Sequence, residues 1–186
     1  MAKNIVSFSN AKIIQSGKTI LTDVSVDVPD GSFVFLIGRT GSGKSSLIKT
    51  IYGDLQLAGG LGSVGDYDLT QLKRNQIPAL RRTLGVVFQD FKLLPDRNIE
   101  DNLKFVLKAT GWKDKKEISQ RIYEVLDMVG IKVNKKKFPF ELSGGEQQRI
   151  AIARALLNNP KLVEQSYLSN IRIKFHGSST PVGIQC

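Results

Sequence analysis

Hydrophobic and polar positions follow three different rhythms along this chain. Ile5 to Phe8 and Leu21 to Val28 read as strands separated by a Ser16-Gly17 turn, and Val24, Val26 and Val28 alternate with polar residues. Alternation with a period of two marks a strand with one buried face, so this region predicts an antiparallel sheet open to solvent on one side. After the turn Pro29-Asp30-Gly31, Phe33-Val34-Phe35-Leu36-Ile37 is an unbroken apolar run, as is Leu84-Gly85-Val86-Val87-Phe88, which ends at Gln89. Runs of this kind predict parallel strands covered on both faces. From Asp96 to Val129 the period becomes helical. Ile99, Leu103, Val106 and Leu107 share one face, and Ile122, Val125, Leu126 and Val129 share another. Gly111 and Gly130 stop these helices, and Trp112, just past the first stop, reads as a packing residue.

The segments between are less regular. Ser45 to Tyr52 puts Leu47, Ile48 and Ile51 on one helical face. Gly53 to Asp68 is glycine-rich and reads as irregular chain, and Leu69 to Leu72 with Pro78 to Arg82 read as short helical turns. Ser143 and Glu146 have the spacing of a capping box, which predicts a helix from about Gly145 to Leu157, ending at Asn158-Asn159-Pro160. Its buried stripe is Ile150, Ala153 or Arg154, and Leu157.

Chemistry enters at Gly38-Arg39-Thr40-Gly41-Ser42-Gly43-Lys44-Ser45, which satisfies G-x-x-x-x-G-K-[ST] between a strand pattern and a helix pattern. Its glycines let successive backbone N–H groups point at one centre, and the helix start adds its positive dipole end. Such a loop cradles phosphates: Lys44 neutralises the β- and γ-phosphates, and the Ser45 hydroxyl ligates magnesium. Gly144 and Gly145 expose N–H groups at the start of the later helix, which makes a second anion site in the same chain. Taken alone, that second site is also what a capped helix with a glycine entrance looks like.

With 186 residues and 41% hydrophobic content, the chain supports one α/β domain with a core and is too short for two. A lone cysteine, Cys186, excludes an intrachain disulfide or a cysteine metal cluster. The first residues lack the apolar run of a signal peptide and no segment approaches a membrane span, so the expectation is a cytoplasmic protein. Net charge is +10, densest at Lys113, Lys115 and Lys116 and at Lys132, Lys135, Lys136 and Lys137. These lysines read as solvated helix ends and loops, with contact to an anionic membrane surface as the alternative.

Together, the phosphate loop, Gln89 and Leu142-Ser143-Gly144-Gly145-Glu146-Gln147-Gln148-Arg149 resemble the ATP-binding subunit of ABC transporters, over residues 1 to about 162. The resemblance implies a P-loop NTPase fold of α/β class with an antiparallel β subdomain and a helical subdomain at about residues 90–142. It also implies an ATP-dependent, head-to-tail homodimer in which the second motif grips the nucleotide held by the opposite subunit. Carried over, Gly38, Arg39, Thr40, Gly41, Ser42, Gly43, Lys44, Ser45 and Ser46 hold ATP. Ser45 and Gln89 meet magnesium, Gln89 senses a membrane partner, and Ser143, Gly144, Gly145 and Gln147 complete the partner's site. Phe88 to Ile99, with Asp96-Arg97 followed by Asp101-Asn102, looks like the cell-division branch of that family. That branch implies an integral membrane partner of FtsX type and a place on the inner face of the cell membrane. Subunits of lipoprotein-release and macrolide-export systems are close neighbours.

The sequence departs from the family pattern in two places. Where the family stacks an aromatic residue on adenine, this chain has Ile14 or Gln15. After Pro160 the family continues through apolar residues to an Asp-Glu pair that holds magnesium and polarises the attacking water. Here the chain reads Lys161-Leu162-Val163-Glu164-Gln165-Ser166-Tyr167. Glu164 is a poor substitute, His176 lies in the wrong place for the family's switch histidine, and no catalytic residue is assigned. The core sheet is therefore expected to be incomplete after the signature helix, with Ile171 to Phe175 suited only to an edge strand. Residues 163–186 form an atypical tail that reads as an out-of-frame or truncated end of a longer gene. Two further readings follow: a non-catalytic short form that acts as a binding module, and an ABC-type ATPase acting on DNA. The second is disfavoured because Lys44 and Ser143 are too close for the long coiled-coil insertion of that group, so no nucleic-acid partner is expected.

Overall fold

The computed structural model describes residues 3–88, 90–165 and 182–185. In chain order the elements are β1 (Asn4–Gln15), β2 (Lys18–Pro29), β3 (Val34–Ile37), α1 (Lys44–Ile51), β4 (Leu57–Val64), β5 (Tyr67–Asp68), α2 (Ile77–Arg82), β6 (Leu84–Val87), α3 (Ile99–Ala109), α4 (Lys115–Met128), α5 (Gly144–Leu156), β7 (Leu162–Gln165) and β8 (Val182–Gln185). They fall into two compact units, Met1–Arg81 with Asn170–Cys186, and Arg82–Ser169.

In the first unit β1 and β2 form the expected antiparallel hairpin. Ser16 and Gly17 both have positive φ, 51° and 75°, the mirror-image turn whose twist matches that of the strands. Along β2, Val24, Val26 and Val28 are half-buried while Asp23, Ser25 and Asp27 are exposed, as alternation predicts.

The glycine-rich stretch departs from the expectation of irregular chain. It forms β4 and β5, which complete a four-stranded sheet in the order β2-β1-β4-β5. Glycine has low strand propensity, which hides the strand in the sequence. Here the absent side chains are what admit β4 beside β1. A Cβ on Gly62 would lie 2.9 Å from the Phe8 ring, and one on Gly60, at a register shift with φ +75°, would lie 2.2 Å from the Asn10 carbonyl oxygen. Leu69 to Leu72 likewise does not become a helical turn. Asp68 Oδ1 accepts hydrogen bonds from Thr70 N and Oγ1 at 2.8 and 2.6 Å, a local turn that competes with helix. Helical structure begins instead at Arg74–Gln76 and continues into α2. Ile5, Val6, Phe8, Ala11 and Ile13 of β1, Val64 of β4 and Leu47 of α1 are all buried.

The two apolar runs are parallel strands: β3 pairs with β8, and β6 pairs with β7. Among the described residues they lie in two separate two-stranded sheets. β3 is not covered on both faces. Phe35 and Ile37 are 47% and 56% exposed, because a sheet that is two strands wide among the described residues is too narrow to be sandwiched. The expected edge strand at Ile171 to Phe175, His176 and Cys186 lie outside the described residues.

In the second unit the predicted helical faces meet. Ile99, Leu103 and Leu107 of α3, Ile118, Ile122, Val125 and Leu126 of α4, and Ile150, Ala153 and Leu157 at α5 form one buried cluster with Leu142, against which Trp112 packs. Of the two candidates for the α5 stripe, Ala153 is the buried one. Arg121, 8% exposed, locks the far end of α5. Its guanidinium donates to the carbonyl oxygens of Leu156 and Leu157 and to Asn159 Oδ1, cationic donors at the negative end of a helix.

Candidate nucleotide site

The phosphate loop joins β3 to α1, as its flanking patterns predicted. Gly41 and Gly43 have φ of +83° and +91°, conformations that L side chains rarely adopt. Gly43 is doubly constrained, since a Cβ there would meet Leu21 Cγ at 2.8 Å. It is the N-cap of α1, and no side chain caps that helix. Lys44 folds over the loop: its Nζ donates to the carbonyl oxygens of Gly38 and Arg39 at 2.6 and 2.7 Å. The ammonium thus lies within the curve of the loop, where a phosphate oxygen would compete for it. Ser45 is exposed, and Ser46 is buried, its Oγ donating to Gln15 Oε1 at 2.8 Å. Gln15 therefore anchors the loop to the end of β1, and Ile14 beside it keeps 37% of its surface exposed.

These residues fit a nucleoside triphosphate with magnesium. A cradle of two left-handed glycines, an uncapped helix start, an ammonium and a hydroxyl match the donors that phosphate oxygens and a hard cation require. Among the described residues no group of three or more His, Cys, Asp or Glu side chains converges as a metal cluster.

The second motif lies in the other unit. Ser143 caps α5 through a reciprocal box: Glu146 N donates to Ser143 Oγ at 3.3 Å, while Ser143 N and Oγ donate to Glu146 Oε2 at 2.8 and 2.7 Å. The Ser143 hydroxyl, then its backbone N–H, holds the Glu146 carboxyl below the usual range. Ser143, Gly144 and Gly145 are exposed, so the helix start faces solvent, and Gln147 Nε2 donates to the Leu142 carbonyl oxygen at 3.2 Å. Gln89 lies outside the described residues.

Three residues near these motifs were not singled out for a role from sequence. Arg154 donates through both terminal nitrogens, to the carbonyl oxygens of Lys92 and Phe91 at 2.5 and 2.7 Å, and burial lowers its pKa. Both acceptors have left-handed backbones, φ 47° and 56°, a conformation that costs a non-glycine residue on the order of 1–3 kcal/mol. Asn102, 1% exposed, accepts from Leu94 N and donates to the carbonyl oxygens of Leu94, Arg97 and Asn98. Glu100, 6% exposed, is held by Lys104, Lys135 and Lys136. Part of the basic patch at Lys132 to Lys137 is thereby tied down rather than simply solvated. The sequence offered Asn102 only within the Asp101-Asn102 pair of the family pattern and Arg154 only as an alternative to Ala153 in the α5 stripe.

A family profile described as ABC transporter matches residues 21–163, a stretch that holds both the phosphate loop and the capped glycine helix start. The chain belongs to that family. Among curated ABC relatives, the cell division ATP-binding protein FtsE of Streptococcus pneumoniae is 45% identical over 152 residues, covering 82% of this chain and 66% of its own length. FtsE of Bacillus subtilis is 43% identical with the same coverage, and FtsE of Escherichia coli is 39% identical over 82% of this chain and 68% of its own. The chain thus spans about two thirds of the length of the curated relatives it matches.

Solved ABC structures agree. The Clostridium perfringens protein cbiO1, part of the ABC transporter complex cbiONQ, superposes with a TM-score of 0.79 at 27% identity, over 87% of this chain and 64% of that one. The ATP-binding cassette MJ0796, a dimer in a post-hydrolysis state bound to ADP and Pi, gives 0.71 at 30% identity, over 86% and 72%.

Proposed function

We propose that this chain acts as the ATP-binding subunit of an FtsE-like membrane complex, coupling ATP binding to an integral membrane partner of FtsX type in cell division. The observation that carries this reading is the phosphate loop, with its left-handed Gly41 and Gly43 and the Lys44 ammonium within its curve. In this reading Gly38 to Ser46 hold the phosphates of ATP, and Ser45 with Gln89 contributes oxygen ligands to magnesium. When bound, magnesium neutralises charge on the phosphate oxygens. Ser143, Gly144, Gly145 and Gln147 meet the nucleotide of a second copy in a head-to-tail dimer. The similarity to FtsE supports a place on the inner face of the cell membrane, and among the described residues no helix is long and apolar enough to cross one.

Hydrolysis is a separate question from binding. A general base needs a carboxylate aimed at the attacking water, and the strand that follows α5 offers only Glu164, half-buried in β7 opposite Val86. That single carboxylate favours a second reading, a non-catalytic short form that binds nucleotide and docks as a module. Calorimetric titration of the chain with ATP and magnesium, next to a magnesium-dependent ATPase assay, tests both. Binding without turnover is expected on both readings, turnover contradicts a chain with no assigned catalytic residue, and a folded 186-residue product detected in cells by intact mass favours the short form. No binding overturns both.

A further inference from the structure

Residues 90–98 run from Gln89 to the start of α3, and two side chains from different helices hold them. At one end Phe91 N donates to the Phe88 carbonyl oxygen and Lys92 N to that of Asp90, a tight turn that drives two consecutive non-glycine residues into the left-handed region. A bulky residue such as Phe91 is a genuine outlier there. Arg154 of α5 places one planar guanidinium on both carbonyl oxygens of this turn. At the other end Asn102 of α3 satisfies Leu94 on both its N–H and its carbonyl oxygen, and reaches Arg97 and Asn98. Arg97 in turn lies 4.4 Å from the centre of the Phe105 ring. The segment is thus strapped at both ends to helices, not to a sheet.

We propose that Arg154 and Asn102 are positioning residues: they hold residues 90–98 in a strained turn and so tie the chain that follows Gln89 to the helix that begins at Ser143. Coupling requires an element with two discrete arrangements whose balance a site can bias. The turn at Phe91-Lys92 supplies one, since without Arg154 its dihedrals relax toward the extended region that both residues prefer. A guanidinium suits this place because its fixed fork donates to two oxygens at once, whereas a lysine ammonium is a single point on a flexible stem. The link to nucleotide rests on the phosphate-loop reading above; the strap itself does not.

Hydrogen exchange on the full chain tests this with Arg154→Ala, Arg154→Lys and Asn102→Ala, each with and without ATP and magnesium. Arg154→Ala is expected to speed exchange at Phe91 and Lys92 about tenfold, and Asn102→Ala to do the same at Leu94. Amides of α3, α4 and α5 keep their protection, and Arg154→Lys does not restore the turn. Added ATP changes protection at 90–98 in the wild type and not in Arg154→Ala, with similar nucleotide affinity in both. Unchanged exchange at 91–92 in Arg154→Ala overturns the proposal, as does a rise spread through all three helices, which makes the arginine a packing residue. Full rescue by lysine also overturns it. If the wild type fails to bind ATP, the functional reading falls, while the nucleotide-free exchange still decides the strap.

Discussion

α1 and α5 both open on glycine-bearing motifs and both present a helix N-terminus, yet they are finished differently. At α1 the cap is Gly43, with no side-chain hydrogen bond capping the first turn and no acidic residue in it. At α5 Ser143 and Glu146 close a full capping box, and Glu146 is in the first turn. The other long helices resemble α5. Asn98 Oδ1 accepts from Asp101 N at 2.9 Å to cap α3, and Asp114 Oδ1 accepts from Lys116 N and Glu117 N at 2.7 and 2.9 Å to cap α4. A helix start keeps its positive end available to an anion only if its own residues do not already satisfy it. On the proposed reading, α1 leaves its start to be completed by a phosphate, whereas at α5 an incoming phosphate would share Ser143 with Glu146. The two halves of the nucleotide reading therefore carry unequal weight in a single chain.

The largest effect is expected at α1. Lys44→Ala removes the one ammonium held by the loop carbonyls and should weaken ATP binding about 100-fold, since a charge-assisted contact to phosphate is lost; calorimetric titration measures it. Ser143→Ala should leave the affinity of the isolated chain within about threefold, because on the proposed head-to-tail reading the α5 start meets another copy's nucleotide. Equal losses in the two variants would break the comparison.

The next effect is on stability and concerns the start of α3. Its first-turn residue Glu100 is pressed against Lys104, and then Lys136 and Lys135, which bring its carboxyl down to about 2. A carboxyl depressed in the fold stabilises it above its ordinary value near 4.5, and that contribution fades as pH falls from there toward 2. The loss should be on the order of 2 kcal/mol, or a few degrees in thermal midpoint, discounted because Lys135 and Lys136 are half exposed or more. Thermal unfolding from pH 7 down to pH 3 measures it. Glu100→Gln should lower the midpoint at pH 7 and flatten its fall at acid pH.

Much of this was legible in the sequence, for physical reasons that differ by region. Ser143 and Glu146 fix their helix start by local chemistry alone, and the loop from Gly38 to Ser45 is likewise a local device. The faces of α3 and α4 follow from period, because Leu103, Leu107, Ile122 and Val125 must share one core. What stayed hidden depends on contacts distant in sequence. Gly60 and Gly62 read as loop because their strand exists only against Asn10 and Phe8. Phe35 looked buried because a run of apolar residues cannot report how wide its sheet is. Arg154 read only as an alternative to Ala153 in the stripe, because its two acceptors lie 62 and 63 residues away.

A smaller effect is expected when the α5 cap itself is removed. Ser143→Ala deletes the oxygen that accepts from Glu146 N and should cost about 1 kcal/mol, or 2–4 °C in thermal midpoint. An equal change at Gly43, to alanine, should cost more, since it combines a left-handed backbone with a clash against Leu21. A larger cost at Ser143 than at Gly43 would mean that α1 depends less on its glycine than its geometry implies.

The smallest effect sharpens the comparison most. Glu146→Gln keeps one side-chain oxygen in place for Ser143 N and Oγ but removes the charge that complements the start of α5. Its thermal midpoint should fall by less than that of Ser143→Ala, and only above the depressed carboxyl value, because in acid the wild-type carboxyl is also neutral. At pH 7 the same change puts a neutral amide beside the Ser143 hydroxyl in place of a carboxylate that would repel a phosphate. If α5 is held back by its own cap, a dimer formed on ATP should tighten in Glu146→Gln while the helix itself loosens, and sedimentation at several ATP concentrations reads that directly. A weaker dimer would mean that Glu146 helps present Ser143 to the partner's nucleotide, and that the two helix starts differ in their wiring rather than in their readiness.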